Sequence, residues 1–363
     1  MGARHPRSVR GGERGVLLQA VGRAATEIGR AETGPSRVES VATSGHSVSI
    51  GFSGRMTTYN TDGKVGPWAQ EKLRCLGEYL SAYTTVLRKQ NWCDGFSFID
   101  AFAGAGRAEL RKSHQEEQSA EDLLFAVSAF ATQDADEKSY IEGSPRVALG
   151  IVHPFTEYLF IENDPKRVGE LRALSGEHGE SRKITVVSGD ASEVIESILA
   201  NPNINSPRRR GVFFLDPFGM QVNWATIAAI AETKRFEVIV NLPVGTAIQR
   251  LLPRAGQFTS LQRERLTVYF GSSDWEEVVY ETRNDLFGDK QVSKVADAGT
   301  RLAIWYRSRL NSAFGFSAPP RLIRNSQGGH LYYLIFAGPN KTGAKIAEYI
   351  MRQGESISRR PTR

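Results

Sequence analysis

Hydrophobic and polar residues follow two alternating patterns along the central part of the chain. From residue 68 to 90, apolar side chains recur every three to five positions, which predicts an amphipathic helix with one face in the core. Short apolar runs bounded by Gly, Pro or acidic residues predict buried strands. These runs lie at 96–100, 158–162, 184–188, 212–216 and 236–241. Helical patterns separate them at about 144–151, 165–174, 192–200 and 224–231, with Ser144 expected as the N-cap of the first.

Strands that alternate with single helices indicate βαβ units in a mainly parallel, doubly wound sheet. The pattern changes after residue 243, because 244–312 is helical and irregular and two strands follow at 321–324 and 331–336. The short link between them permits only an antiparallel hairpin, and a helix at 341–351 follows. A parallel sheet that ends in such a hairpin is typical of class I S-adenosylmethionine methyltransferases. We therefore expect an α/β, Rossmann-like class I methyltransferase fold with seven strands, a C-terminal antiparallel hairpin and a helical insertion.

The net charge of +6 over 363 residues comes from the ends of the chain. Residues 1–55 hold eight Arg and four Glu, and 351–363 hold four Arg and one Glu, which leaves −1 for 56–350. The first segment has ten Gly and one aromatic residue, too little apolar surface to fold. It predicts a disordered extension or a misassigned start upstream of Met56, the alternative being a mitochondrial-type presequence. We expect a methyltransferase-like domain at 56–350, with an insertion at 107–142 and a helical cap at 244–312, and a basic disordered tail at 351–363.

Several classes of protein are excluded by composition and by missing motifs. No apolar run approaches the ~20 residues that cross a bilayer, and nothing resembles a secretory signal. Cys75 and Cys93 cannot form a disulfide framework, so we expect a reduced, cytoplasmic protein without a membrane partner. Six scattered His give no metal-ligand spacing, and the chain has neither a Gly-x-Ser-x-Gly elbow nor a P-loop. No metal site is expected.

The first strand runs into the loop Asp-Ala-Phe-Ala-Gly-Ala-Gly, at 100–106. Glycines permit a tight turn and close approach of a ligand. A dinucleotide site would carry Gly-x-Gly-x-x-Gly to hold a pyrophosphate, which the carboxylate of Asp100 would repel. The same carboxylate suits the amine-bearing methionine part of S-adenosylmethionine; the alternative is a structural turn. The predicted cofactor-binding residues of this loop are Asp100, Phe102, Ala103, Gly104 and Gly106.

Three further strands end in acidic residues, at the edge of a parallel sheet where ligands bind. Glu162 is predicted to accept the ribose hydroxyls and Asp190 the adenine amino group, the alternatives being solvated strand-end carboxylates. Asp216, Pro217 and Phe218 are predicted to be catalytic: the carboxylate holds the nucleophile, the proline stiffens the turn and the aromatic ring stacks on a planar target. A capped turn is the alternative. For Asn241, which ends the next strand, a structural role is favoured over a second polar group at the same edge.

Several short motifs are shared with one family. They are Trp-Ala-Gln-Glu-Lys at 68–72, Tyr-Leu at 79–80, Ile-Asp-Ala-Phe-Ala-Gly-Ala-Gly at 99–106, Gly-Ser-Pro at 143–145, Phe-Ile-Glu at 160–162, Gly-Asp at 189–190, Phe-Leu-Asp-Pro-Phe-Gly at 214–219 and Tyr-Tyr-Leu-Ile-Phe-Ala at 332–337. Over about 64–350 the chain resembles the three-Cys-motif partner (TcmP) family, bacterial proteins regarded as S-adenosylmethionine methyltransferases. The resemblance implies a separate partner with a three-cysteine motif, similar to radical S-adenosylmethionine enzymes.

Asp216-Pro217-Phe218 also resembles the Asp/Asn-Pro-Pro-aromatic signature of amino-group methyltransferases, with the second proline missing. A nucleic acid is therefore the leading expectation for the methyl acceptor. Four arginines of the cap are candidates for phosphate contacts, with a solvated helix face as the alternative. They are Arg250, Arg254, Arg263 and Arg265. Two other functions stay open: a non-catalytic S-adenosylmethionine-binding regulator of the three-cysteine protein, and a nucleotide-binding oxidoreductase, which the Asp100 loop disfavours.

Overall fold

The computed structural model describes residues 67–108, 141–284, 290–324 and 328–353. The predicted extension at 1–55, residues 109–140 of the predicted insertion and residues 354–363 of the predicted tail lie outside the described residues. Within the described ranges, no helix is both long and apolar enough to cross a membrane.

The helices and strands alternate along the chain, as the sequence pattern predicts. The helices are α1 Pro67–Leu87, α2 Ser144–Leu149, α3 Pro165–His178, α4 Ala191–Ala200, α5 Trp224–Glu232, α6 Gln249–Leu251, α7 Ser260–Phe270, α8 Trp275–Val279, α9 Ala298–Phe314 and α10 Lys341–Gln353. The strands are β1 Gly95–Asp100, β2 Arg107–Ala108, β3 Ile141–Glu142, β4 Glu157–Glu162, β5 Ile184–Ser188, β6 Arg209–Leu215, β7 Phe236–Leu242, β8 Tyr280–Asn284, β9 Lys290–Lys294, β10 Phe316–Ser317, β11 Arg321–Arg324 and β12 His330–Gly338.

The central sheet has the order β5-β4-β1-β6-β7-β12-β10, with β11 also paired to β12. The first five of these strands are parallel, whereas β12 is antiparallel to β7 and to both β10 and β11. The chain therefore has the Rossmann-like class I methyltransferase fold, and the C-terminal antiparallel hairpin is confirmed. The predicted count of seven strands is wrong, because the sheet has eight. The added strand, β10, has only two residues, too few to leave an alternating pattern in the sequence.

The main core lies between the sheet and the layer formed by α1, α2, α3 and α10. Its aromatic side chains include Tyr79 and Tyr83 of α1, which pack with ring centroids 6.3 Å apart, and Phe336 of β12, 4.9 Å from Tyr79. In a second layer, α4 packs on α5 and α5 packs on α9. Burial of these apolar faces explains why periodicity alone predicted the helices well.

Three local expectations are corrected. Ser144 is the first residue of α2 and Gly143 is its N-cap, because Pro145 fits equally well at the second helical position. The region at 244–312 is not purely helical: the mostly polar segments β8 and β9 pair as an antiparallel hairpin. Its last helix, α9, packs against β12 and α5 and so belongs to the layer that flanks the sheet. Residues 351–353 belong to α10 rather than to the tail.

Candidate functional site

A row of polar side chains lies on one face of the sheet, at the carboxyl ends of its parallel strands. Alternate residues of a strand point to the same face, so each polar residue continues a column that begins in the apolar core next to α1. The core residues two positions away are Phe98, Phe160, Phe214, Ile239 and Leu334. The polar residues that continue these columns are Asp100, Glu162, Asp216, Asn241 and Tyr332. The fold thus collects at one edge side chains that are up to 232 positions apart in sequence.

Asp100, the last residue of β1, is fully buried. Its Oδ1 accepts from the backbone N–H of Phe102 at 3.2 Å. Burial raises the pKa of Asp100 to about 7, and the negative charge of Asp216 adds to the shift. The nearby Ser144 side chain, the Phe102 amide and the positive charge of Lys72 oppose it. The second oxygen, Oδ2, is buried without a hydrogen-bond partner among the described residues. A buried acceptor of this kind is suited to a ligand that donates hydrogen bonds.

The loop after Asp100 turns through two left-handed glycines, as predicted. Gly104 has φ +62° and Gly106 has φ +72°, backbone conformations that side chains with a Cβ rarely adopt. A Cβ on Gly104 would meet nothing within 4 Å, whereas one on Gly106 would lie 2.9 Å from Leu174. Ala103 is buried and donates its N–H to the carbonyl of Ile161. The loop is therefore held firmly on one side and is open beside Gly104.

Glu162, the last residue of β4, is buried and bonded chiefly to backbone groups. Its Oε2 accepts from the N–H of Gly104 at 3.0 Å, and its Oε1 accepts from the N–H groups of Asn163 and Asp164, each at 2.9 Å. Arg167 also lies 3.2 Å from Oε1. The carboxylate therefore fixes the glycine loop against β4, and ribose hydroxyls would share an acceptor that is already bonded.

Asp190 is exposed and serves as the N-cap of α4. Its Oδ1 accepts from the N–H of Ser192 at 2.8 Å and of Glu193 at 3.3 Å. Both bonds use the same oxygen, so the geometry is that of an ordinary N-cap. Asp190 lies at the carboxyl edge of the sheet but outside the buried polar row.

Asp216 lies at the centre of a compact polar cluster. Its Oδ2 is 2.6 Å from the Nζ of Lys72 on α1, and its Oδ1 accepts from the Nδ2 of Asn241 at 2.7 Å. The Lys72 ammonium also lies 5.4 Å from the ring centroid of Tyr332. Burial acts to lower the pKa of Lys72, but the negative charge of Asp216 and the other nearby groups outweigh it, and the pKa is raised above its usual value. Lys72 is therefore a fixed positive charge beside the carboxylate.

Sequence reasoning placed no function on Lys72 or Tyr332 and favoured a structural role for Asn241. A signal for Lys72 was present: it precedes Cys75, Leu76 and Tyr79 by three, four and seven positions, so it lies on the core face of α1. A lysine on such a face requires a buried partner. The preceding residue of α1, Glu71, pairs with buried Arg321 of β11 and ties the start of the helix to the sheet.

The two residues that follow Asp216 differ sharply in exposure. Pro217 is buried, whereas Phe218 is 72% exposed. The guanidinium of Arg167 lies 5.8 Å from the Phe218 ring centroid, which brings the ring close to the end of β4. The backbone N–H of Phe218 donates to the side chain of Gln221 at 3.2 Å. The ring thus presents a flat apolar surface at the same edge as the polar row.

The described residues offer no cluster of metal ligands. In 67–108, 141–284, 290–324 and 328–353, no three His, Cys, Asp or Glu side chains are grouped so that they could hold an ion. The described acidic residues of the site instead bond to lysine, amide and backbone donors.

No family model matches the chain, and no curated protein matches it. Among solved structures, it is similar to protein LPL1258 of Legionella pneumophila, a DUF519 protein, with 14% identity, a TM-score of 0.41 and coverage of 80% of this chain and 93% of that one. It is also similar to YhhF of Escherichia coli, described as a candidate methyltransferase, with 12% identity, a TM-score of 0.27 and coverage of 72% of this chain and 86% of that one. A third similar structure is a conserved protein of Streptococcus pyogenes, with 13% identity, a TM-score of 0.25 and coverage of 58% of this chain and 91% of that one. At these values the likeness says nothing about chemistry, and the fold assignment rests on the strand order.

Proposed function

We propose that the chain is an S-adenosylmethionine-dependent methyltransferase whose methyl acceptor is held at Asp216. The observation that carries the proposal is the buried polar row, in which a carboxylate with an unpartnered oxygen, Asp100, stands beside a second carboxylate fixed by Lys72 and Asn241. Asp100 would thus serve a cationic cofactor, and Asp216 would serve the methyl acceptor. Ligands bind at this edge in open α/β sheets.

The residues present fit the cofactor. Asp100 Oδ2 is a buried acceptor that suits an amine donor, and the space beside Gly104 permits close approach to the backbone. In this arrangement Asp100, Phe102, Ala103, Gly104 and Gly106 would hold the methionine part. Glu162 would share its carboxylate with the ribose hydroxyls, and Asp190 would lie toward the adenine.

The residues after β6 would serve the acceptor. When bound, the cofactor would supply an electrophilic methyl group; the acceptor would supply the lone pair and would lose a proton to Asp216 or to water. Asp216 holds the acceptor by hydrogen bonding, buried Pro217 stiffens the turn, and exposed Phe218 stacks on a planar group. Lys72 keeps the carboxylate in position.

We further propose a nucleic acid as the acceptor and membership of the TcmP family, with its three-cysteine partner. The exposed ring of Phe218 beside a hydrogen-bonding carboxylate supports a planar base. Of the cap arginines, Arg263 is paired with Glu276 at 2.8 Å and stacked near Phe258, which favours a structural role for that residue. Exposed Arg254 is therefore the first candidate for a phosphate contact.

A second candidate is a cofactor-binding, non-catalytic partner of the three-cysteine protein. It is favoured by one observation: each oxygen of Asp216 already has a donor within the chain, from Lys72 and Asn241. A carboxylate bonded in this way serves a structural role equally well.

Calorimetry with S-adenosylmethionine, and with NAD as the comparison, tests cofactor binding first. We expect binding of the former only; no binding of S-adenosylmethionine would exclude both candidates. Labelled-methyl transfer to a cell extract then separates them. Catalysis predicts that Asp216→Ala binds the cofactor normally and transfers nothing. The regulatory candidate predicts that the wild type transfers nothing while the stability of the three-cysteine protein depends on it.

A further inference from the structure

We infer that Asn241 determines acceptor specificity: with Asp216 it supplies two hydrogen-bond acceptors for one primary amino group, so that the site methylates exocyclic amines rather than hydroxyls or ring atoms. The inference rests on the proposed methyl transfer and deepens it by naming the acceptor group. It starts from the orientation of one buried amide.

The amide of Asn241 is fixed by its contact with Asp216. Its Nδ2 donates to Oδ1 of the carboxylate at 2.7 Å, so Oδ1 of the amide lies on the opposite side of the group. The side chain is 6% exposed and lies on the α1 face, in the column of Ile239. The amide can therefore neither flip without breaking this bond nor turn to solvent.

The oxygen of this amide is a buried acceptor, and none of the described residues donates to it. An unpaired buried acceptor destabilises the folded state, so native structures rarely retain one without a use. Two more unpaired polar atoms belong to the same row, Oδ2 of Asp100 and the hydroxyl of Tyr332. The two unpaired oxygens of Asn241 and Asp100 favour a ligand that carries N–H groups, and the hydroxyl of Tyr332 can either donate or accept.

The two hydrogen-bond acceptors, Asp216 and the amide oxygen of Asn241, distinguish possible methyl acceptors by the number of hydrogens that each offers. A primary amine offers two N–H groups, one for Asp216 and one for the amide oxygen of Asn241, and keeps its nitrogen lone pair for the transfer. A hydroxyl offers one hydrogen and a ring carbon offers none to acceptors, so either leaves Asn241 unsatisfied. A site built to bond a hydrogen rejects the analogue that lacks it far more strongly than a merely apolar pocket does. After transfer, the nitrogen releases its extra proton along its hydrogen bond to Asp216 or to water.

The test is methyl transfer from labelled S-adenosylmethionine to total bacterial nucleic acid, followed by digestion to nucleosides and identification of the labelled position. We expect the label on the exocyclic nitrogens of adenine, cytosine or guanine. Label on a ring carbon, a ring nitrogen or a ribose oxygen would overturn the inference and leave the proposed function intact. Absence of any transfer would overturn both.

Substitutions of Asn241 test the role of its amide oxygen directly. Asn241→Leu removes the acceptor at similar volume, and we expect the single-turnover rate to fall about tenfold or more while the Kd for S-adenosylmethionine stays unchanged. Asn241→Ser, which keeps a hydroxyl that can both donate and accept, recovers part of the rate and guards against a folding defect. Asn203→Leu makes the same change on an exposed loop and leaves the rate unchanged. A wild-type rate in Asn241→Leu would contradict the inference.

Discussion

Lys72 and Asp216 are 144 positions apart in sequence and form an ion pair with a distance of 2.6 Å between Nζ and Oδ2. Their side chains are only 15% and 19% exposed, so water screens the pair weakly. The pair joins the first described helix, α1, to the carboxyl end of β6, and so holds Asp216 in position within the candidate site. The candidate site is in this sense built by two distant segments and not by the strand-end loops alone.

Lys72→Met removes the donor to Asp216 and leaves a partly buried carboxylate with Asn241 as its remaining described side-chain donor. We expect a loss of about 2 kcal/mol in the free energy of unfolding, measured by urea denaturation. The same change at Lys89, exposed beyond the end of α1, is the control and has almost no effect. In a double-mutant cycle with Asp216→Asn, we expect the double variant to lose much less stability than the sum of the two single losses. Additive losses would show that the two residues do not interact.

Much of this arrangement was predictable, and the reasons are local. Apolar runs predicted the strands, and the acids at strand ends predicted that polar side chains gather at one edge of the sheet, because both signals lie within a few residues of chain. The two donors to Asp216 were not predicted, since Lys72 and Asn241 reach it only through the tertiary fold. The β8–β9 hairpin was missed because polar, exposed strands lack the apolar alternation on which the pattern depends.

Asp100 predicts a pH-dependent affinity for the proposed cofactor. Its pKa is raised to about 7 mainly by burial, so the carboxyl is largely neutral at pH 6 and ionised at pH 8. A cationic ligand prefers the ionised form. We expect the affinity for S-adenosylmethionine to rise roughly tenfold from pH 6 to pH 8, measured by calorimetry. Asp100→Asn binds more weakly and loses this dependence, whereas Asp94→Asn, at the opposite end of the same strand, retains it. A flat profile in the wild type would refute the prediction.

A second buried carboxyl, Glu237 on β7, predicts how stability changes with pH. Its Oε2 accepts from the hydroxyl of Tyr79 at 2.5 Å, and burial raises its pKa to about 7 although this hydrogen bond acts the other way. A group whose pKa is raised on folding contributes stability at low pH, and the contribution is lost as the pH rises through the folded-state value. From pH 6 to pH 8, the ionisation of Glu237 alone should lower the free energy of unfolding by about 1 kcal/mol.

Glu237→Gln keeps the acceptor for Tyr79 and cannot ionise, so the variant should lose less stability than the wild type over this pH range. Urea denaturation at pH 6 and pH 8 gives the comparison, since Asp100 contributes the same slope in both proteins. Glu232→Gln, on the exposed side of α5, is the matched control. If Glu237→Gln and the wild type change equally with pH, Glu237 is not protonated in the folded state.

Phe218 predicts a separation of acceptor binding from stability. Because the ring is 72% exposed, Phe218→Ala should change the free energy of unfolding by less than about 0.5 kcal/mol. Loss of a stacked base costs about 1–3 kcal/mol, so the KM for the acceptor should rise roughly tenfold while the Kd for S-adenosylmethionine is unchanged. Phe218→Tyr keeps the ring and the wild-type KM. Tyr349→Ala removes an aromatic residue that is 63% exposed on α10 and should alter neither constant.

The glycine loop predicts a graded response to the addition of one methyl group. Gly104→Ala meets no atom but forces a Cβ into a φ of +62°, which costs roughly 1–2 kcal/mol. Gly106→Ala adds a contact of 2.9 Å with Leu174 to the same backbone strain and should be the more destabilised. Gly169→Ala, inside α3 with open space around it, should instead stabilise the protein by about 1 kcal/mol. Thermal or urea denaturation ranks the three variants, and a Gly104→Ala protein as stable as the wild type would show that the loop does not require its left-handed turn.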